Sequence, residues 1–474
     1  MQKSSVAAIL LIILFSSCQP SLQRANLSVN GIWNSLGSGW VLEIQDSTNY
    51  SFYDITSISC LPNRKGSFEE LTKSLTLRND TLALKKGIIT YKFTRGDSLP
   101  HLCQNVSQKQ RKNPLYNFDV FAKTVEEHYA FFELNNINWT NLYNLQKAKL
   151  KEGSTNMELY QVIEETLEKL NDNHGFLEAT KDVYEALENQ ISEEESDSNG
   201  LAEYGDFQLA KMVAEHHLQE EMTKDSWLIQ WGKMTDNIGY IQLKAMWLFA
   251  DLDVSKELIE QIGYVDAYVN TFHQLYEGDY IEEEAKGVSK IMDTVMKDLS
   301  AMEAIVIDVR FNGGGQDAVS FEVLNRFISK KTLIGTQKLR HKDRHTSTLP
   351  LYIHGTNNAF TKPVYVLTSS QTGSAAESFS IATIAMNNAK RIGSPTSGAI
   401  STALEKTLPN SWAFAISNEI FMDNQGKFYE NVGVPVDYPI NYSKDRQTFF
   451  RSVANDLEAD KRSILRAINS LKEQ

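Results

Sequence analysis

The run "SSQTGSAAESFS", Ser369 to Ser380, holds five serines, and Ser374 is the one placed for chemistry. The preceding "PVYVLTSS" reads as a buried strand and a helix starts near Ala375. Ser374 therefore falls in a turn at a strand's carboxyl edge, where sites of α/β proteins gather. The start of a helix offers unpaired N–H groups and the positive end of its dipole, both suited to developing negative charge. Gly373, Ala375 and Ala376 leave room for a substrate backbone. A serine at this position otherwise serves as a helix N-cap. The remaining serines are less suitable, because Ser369 and Ser370 end the strand while Ser378 and Ser380 lie within the helix.

A second element, "DVRFNGGG", puts three consecutive glycines after another buried strand. Such a run costs backbone entropy and makes sense where N–H groups must approach a reacting atom. The expected donors to an oxyanion are Gly313 and Gly314, with Ala375 at the helix start. A phosphate loop is the competing use. It would end in Gly-Lys-Ser/Thr, and here Asp308 and Asp317 bring the wrong charge.

The elements that must position these groups follow from hydrophobic period. Short alternating segments such as "GWVLEIQ", "NYSFYDIT" and "ITYKFTRG" imply a small all-β domain over 26–105. Helices take over from Tyr116. In one of them Thr155 and Glu158 form a capping box, and Leu159, Ile163, Leu167 and Leu170 share a face that ends at "NDNHGF". The stretch 180–235 reads as helices plus mobile loop. Further on, Val288, Met292, Val295 and Leu299 mark a helix, and "AIVIDVRF" is apolar throughout, as a strand buried on both faces should be. Alternation of strands and helices implies an α/β core with a largely parallel sheet.

Taken together these segments resemble the C-terminal processing (tail-specific) peptidases of family S41. The family's "D-x-R-x-N-x-G-G" is matched by Asp308, Arg310, Asn312, Gly314 and Gly315, and its "T-x-S-A-A-E" by Thr372, Ser374, Ala375, Ala376 and Glu377. "IGSPTSG", "LPNSW" and "YENVGVPVD" extend the resemblance from roughly Tyr116 to the carboxyl terminus. It implies an α/β fold with a ClpP/crotonase-like ββα core, a helical subdomain over 113–200 carrying the base, and a catalytic core over 236–445. A C-terminal helix over 446–474 completes the division. Ser374 would be the nucleophile of a serine-type peptidase acting through an acyl-enzyme. One branch of the family uses a lysine twenty-five positions beyond the serine, but that slot holds Ala399, which cannot take a proton. The other branch, similar to tricorn-type cores and retinoid-binding-protein repeats, uses His and Glu. Its "L-x-D-x-H" is matched by Leu170, Asp172 and His174, and its "Y-E-x-x-G-V-x-x-D" by Tyr429, Glu430, Gly433, Val434 and Asp437. The resemblance thus assigns His174 as general base, a role neutral imidazole suits near pH 7. Glu430 would orient the site or stabilise charge. Asn173 occupies the place of an orienting serine, a departure that preserves hydrogen-bonding capacity. The alternative is an inactive relative that binds peptides or apolar ligands. Many relatives carry a PDZ domain. None is expected between His174 and Ile238, and the insertion over 250–287 is expected to cover the cleft instead.

The chain has 474 residues and a formal net charge of -13. Its acidic balance argues against a non-specific nucleic-acid partner, and the expected partner is a peptide or protein substrate. "MQKSSVAAILLIILFSSC" combines Lys3, an apolar run too short to span a bilayer and small residues before Cys18. It reads as a signal peptide over 1–18, and "FSSC" resembles a bacterial lipobox with Cys18 as the lipidated residue. An exported protein is expected, periplasmic or in the cell envelope, touching a membrane only through that lipid. Cys60 and Cys103 are then an even pair in an oxidising compartment, which favours a disulfide. There is no HExxH or CxxC spacing for a metal, and no cofactor is implied.

Overall fold

The computed structural model describes residues 28–103, 107–191, 202–275 and 280–473. Cys18 and its lipobox lie outside the described residues, as does part of the acidic stretch before 202.

The first unit is a seven-stranded antiparallel sheet. Its opening strand Gly31–Ser35 sits centrally, between Trp40–Gln45 and Ile89–Gly96. Trp33, Leu42, Phe52, Leu82 and Phe93 fill its core. Two strands were not legible in the sequence. Gly31–Ser35 is short, and Cys60–Ser67 ("CLPNRKGS") carries a proline, a glycine and two cations. Such a composition survives at the edge of a sheet, where a missing N–H breaks no ladder, and this strand is the edge, with a register irregularity against its neighbour. A disulfide joins Cys60 to Cys103.

The second unit is built on another seven-stranded sheet. Strands Ile238–Leu243, Ala304–Asp308, Val364–Thr368, Ala389–Gly393 and Tyr438–Pro439 run parallel. Ile229–Lys233 and then Glu220–Glu221 add antiparallel strands at one end. Burial on both faces explains the unbroken apolar runs. Ile305 and Ile307 pack with helices Tyr280–Asp298, Asp317–Leu324 and Ala375–Ala382, while Ala304 and Val306 pack with Asp206–His217 and Leu457–Lys472. The carboxyl end is two helices, Arg446–Asn455 and Leu457–Lys472, not the single one expected. Asp456 leaves helical geometry and its side chain caps the second through Ala459 N at 2.8 Å.

The helical part begins with Pro114–His128 and includes Asn156–Leu170, whose Thr155–Glu158 capping box is formed in both directions. It does not close its own core. Phe118, Phe121, Ile163 and Leu167 share one apolar cluster with Leu404, Trp412, Phe414 and Ile416 of the hairpin Ala403–Thr407/Ala413–Ser417. That hairpin also ties down the β-domain, because the buried Lys406 ammonium donates to Asp54 at 2.6 Å and to Gly39 O at 2.9 Å. Residues 250–275 hold helices Lys256–Ile262 and Tyr264–Leu275. Among the described residues no helix is long and apolar enough to cross a membrane.

Candidate active site

Strands Ala304–Asp308 and Val364–Thr368 are parallel neighbours, so the loops leaving their carboxyl ends emerge side by side. Those loops are the glycine run and the Ser374 turn. Ser374 has φ 50° and ψ −122°, a conformation that costs a non-glycine residue about 1–3 kcal/mol. Its side chain makes no capping bond, so the ordinary explanation for a serine before a helix fails. The other four serines are occupied. Ser369 Oγ donates to Arg310 O (2.5 Å), Ser370 Oγ approaches Ser443 O (3.4 Å), and Ser380 Oγ donates to Ala376 O (2.8 Å). Ser378 is buried in the helix, beside Asp317. Ser374 Oγ instead lies 3.3 Å from His174 Nε2.

The motif residues Asp308 and Arg310 serve the architecture of this floor. Arg310 is fully buried, with Nη2 on Asp308 (2.7 Å) and Nη1 on Asp460 (2.9 Å). Tyr240 OH donates to Asp308 at 2.8 Å and His217 Nε2 meets Asp460 at 3.0 Å. A buried guanidinium needs such pairing, and removing one partner would strand a charge. Beyond it Asn312 shapes the glycine loop. Its Nδ2 donates to Leu243 O at 3.0 Å, its Oδ1 accepts Gly314 N–H at 2.9 Å, and its carbonyl accepts Gly373 N–H at 3.1 Å. This corrects one expectation: Gly314 is not an available oxyanion donor, because the Asn312 side chain turns back onto it. The need for glycine there is steric. At φ +112°, a Cβ would stand 2.7 Å from Ser374 Cβ and 2.8 Å from Gly373 O. Gly313, Gly315 and Ala375 N–H find no protein acceptor among the described residues, and Gly315 lines the cavity beside Ser374.

His174 arrives from a different part of the chain. The helix Asn156–Leu170 ends at Asn171 in left-handed geometry (φ 51°), which asparagine tolerates. Asp172 then accepts Ser417 N at 2.7 Å, Ser417 Oγ at 2.5 Å and His174 N at 3.0 Å. Immediately afterwards Phe176–Glu178 pairs antiparallel with Ala413–Ser417. Helix end, carboxylate and strand pairing together fix the imidazole over Ser374. Burial holds the His174 pKa below its usual value, and the Asp172 charge opposes that shift. His174 Nδ1 is buried with no hydrogen-bond partner among the described residues.

The other expected site residues surround this pair without touching the imidazole. Asn173 does not orient it: Nδ2 donates to Gly398 O (3.1 Å) and Asn431 Oδ1 (3.0 Å), a clamp between the two motif loops. Buried Glu430 accepts Ile400 N (3.2 Å) and Ser401 N (2.9 Å). Burial pushes its carboxyl up to about 8 despite those bonds, and the group holds the loop that carries Ile400 and Ser401. Glu377, matched in the motif but given no role in advance, grips the same loop through Thr396 (2.5 Å), Ser397 (2.9 Å), Gly398 N (2.7 Å) and Ala399 N (2.6 Å). Ala399 O accepts Ser374 N–H at 3.0 Å. The position that could hold a lysine is therefore against the nucleophile, and it is filled by a methyl group.

A cavity of about 360 Å³ opens over Ser374 and His174. Its floor includes Gly315, Asp317, Ile400 and Thr402, and Tyr280 and Ile281 at the start of the helix Tyr280–Asp298 form one side. The β-domain also lines the cavity, through Trp40, Phe52, Tyr91, Arg64 and Lys86. Sequence patterns gave that domain no part in the site, since alternating strands say nothing about what they dock against. Among the described residues no cluster of His, Cys, Asp and Glu could hold a metal ion.

A Ser–His pair thus stands on a strand-to-helix elbow beside a glycine bend. Residues 237–440 match the family model for peptidase family S41. Two solved structures show the same fold. A peptidase from Parabacteroides merdae ATCC 43184 is 18% identical, with TM-score 0.52, over 73% of this chain and 97% of that one. Mature CPAF is 11% identical, with TM-score 0.52, over 76% of this chain and 98% of that one.

Proposed function

We propose that the protein is a serine peptidase that cleaves peptide bonds through an acyl-enzyme on Ser374. The observation that carries the reading is the 3.3 Å approach of His174 Nε2 to Ser374 Oγ at a strained elbow whose hydroxyl serves no structural purpose. Ser374 Oγ attacks the scissile carbonyl carbon and His174 Nε2 takes the hydroxyl proton. The oxyanion is received by Ala375 N–H and by the free amides of the Gly313–Gly315 bend. As the C–N bond breaks, His174 returns the proton to the leaving amine. A water then loses a proton to His174, attacks the ester and releases the carboxylic acid, and the proton returns to Ser374 Oγ. Asp172 is the positioning residue for the base, while Asn173, Glu377 and Glu430 hold the loops on which Ser374 and its neighbours rest.

The exported location is part of the same proposal. A disulfide between Cys60 and Cys103 fits an oxidising compartment, and Cys18 would carry the lipid. Metabolic labelling with a fatty acid should mark the wild type and not Cys18→Ser.

The bare Nδ1 of His174 favours a second reading, an inactive peptide-binding relative. A fluorophosphonate probe separates the two. Labelling of the wild type and not of Ser374→Ala is the expected result. A wild type that never labels, with its fold intact by circular dichroism, overturns the peptidase.

A further inference from the structure

The hairpin Ala403–Thr407/Ala413–Ser417 leaves one edge unpaired. Among the described residues Ala403–Thr407 pairs with Ala413–Ser417 alone, whose other side takes Phe176–Glu178, so it is the end strand of a three-stranded sheet. Which of its backbone groups face outward follows from the ladder. Leu408 N–H donates to Trp412 O at 2.8 Å, in the register that sets Lys406 opposite Phe414 and Leu404 opposite Ile416. Hydrogen-bonded pairs alternate along an antiparallel ladder. Leu404 and Lys406 therefore turn their N–H and C=O groups inward, and Ala403 and Glu405 turn theirs to the free edge. The residue opposite Ala403 agrees: Ser417 N–H goes to Asp172 and Ser417 O accepts Ala130 N–H, so neither is spent on Ala403. The backbone N–H and C=O groups of Ala403 and Glu405 find no protein partner among the described residues.

That edge is continuous with the cleft. Ser374 N–H donates to Ala399 O, and from there Ile400, Ser401, Thr402, Ala403 and Glu405 border the cavity of about 360 Å³ over Ser374 and His174. At its far end the strand closes against the β-domain. Lys406 is held by Asp54 and Gly39 O, and about 10 Å³ remains beside Thr407, Leu61 and Val120. Free edges are ordinarily blunted, because they recruit other strands. This one opens into a cavity that Trp40 and Asn63 of the β-domain also line, and a space of that size takes one extended segment and not a second sheet. We infer that Ala403 and Glu405 form a docking strand for substrate, to which an extended peptide adds as the next strand of the sheet. Main-chain bonds supply the recognition, so the substrate class is unfolded or extended segments of tolerant sequence, with free N–H groups at the pairing positions. The inference deepens the peptidase reading and rests on it for what becomes of the docked peptide.

Two peptides that differ only in their main chain test this. The full chain bearing Ser374→Ala would be titrated, following tryptophan fluorescence, with an acetylated Ala/Leu hexapeptide amide and with the same peptide N-methylated at every residue. The parent should bind at least about tenfold more tightly. Adding Glu405→Pro removes one outward N–H at a sheet edge, where proline is tolerated, and should shrink that ratio to less than about threefold, whereas Glu405→Ala should keep it. Hydrogen exchange on the Ser374→Ala chain gives a reading free of any substitution in the strand. The parent peptide should slow exchange across 402–406 by at least about tenfold, and the methylated peptide should not. Equal binding of the two peptides, no saturable binding of the parent, a ratio that survives Glu405→Pro, or unchanged exchange overturns the inference. So does a concentration-dependent dimer, seen by sedimentation, that Glu405→Pro abolishes, since a second copy then occupies the edge. Fluorophosphonate labelling of the wild type reports separately on the hydrolytic site. A labelled wild type without peptide discrimination keeps the peptidase and loses the docking strand. Discrimination in a chain that never labels keeps the strand as a peptide dock and loses the peptidase.

Discussion

Across the cleft, two surfaces face each other that are built on different terms. On the floor, from Asp308 to Gly315 and from Ser369 to Ala399, polar groups are tied to one another: Arg310 to two carboxylates, Asn312 to three backbone groups, Glu377 to four donors. Only Ser374 Oγ and a few amides face outward. The wall, by contrast, brings Trp40, Phe52 and Tyr91 to the cavity, and comes from an antiparallel sheet with its own core. A floor that must hold atoms to fractions of an ångström needs closed hydrogen-bond networks. A wall that borders a pocket needs chiefly apolar area.

Substitutions on the floor should separate chemistry from folding most sharply. Ser374→Ala and His174→Ala are each expected to lower kcat by about a thousandfold or more, with thermal stability nearly unchanged. Normal turnover by either variant would end the assignment. The wall responds in the opposite sense. Reducing Cys60–Cys103, which closes a span of 43 residues, should cost about 4 kcal/mol on the chain-entropy model. Calorimetry with and without reductant measures this, and Ser374 labelling should outlast the loosened β-domain at temperatures below its transition. If labelling and β-domain melt together, the two surfaces are one cooperative unit.

Smaller effects probe how the floor is held. Gly314→Ala sets a Cβ against Ser374 Cβ and Gly373 O at positive φ, and a loss of about a hundredfold in kcat is expected from the displaced elbow. Glu430→Gln should keep more activity than Glu430→Ala, because a neutral amide oxygen can still accept Ile400 and Ser401 N–H, whereas alanine leaves two buried donors and costs about 1–3 kcal/mol.

Titration gives the finest test. The pKa of His174 is depressed, so the acid limb of kcat/KM should fall below about 6.5, the free imidazole value. Asp172→Asn removes the opposing charge and should move that limb lower still. For stability the sign is reversed at the raised carboxyls. Glu430 and Glu419, both at about 8, contribute stability that is complete below their unfolded value near 4.5 and is lost as pH rises through 8. The melting temperature should therefore fall as pH rises from about 4.5 to 8 and level off above that, and Glu430→Gln should flatten the fall.

Local signals in the sequence determined the elbow, the glycine bend and the strands beneath them. Continuous apolar runs, a capping box and helix-forming stripes are properties of neighbouring residues, and two parallel strands side by side bring their following loops together without outside help. Ala399 could be read directly, since its slot is a fixed count from Ser374. The approach of His174, two hundred positions away, was implied by a resemblance and not by any local pattern. Tertiary structure produced it, through the pairing of Phe176–Glu178 with Ala413–Ser417 and the grip of Asp172 on Ser417. The same is true of Asn173, whose side chain could have faced the imidazole and was drawn to Gly398 and Asn431 instead. It is true also of the β-domain wall, because a strand's alternation fixes which face is apolar and leaves open what that face will meet.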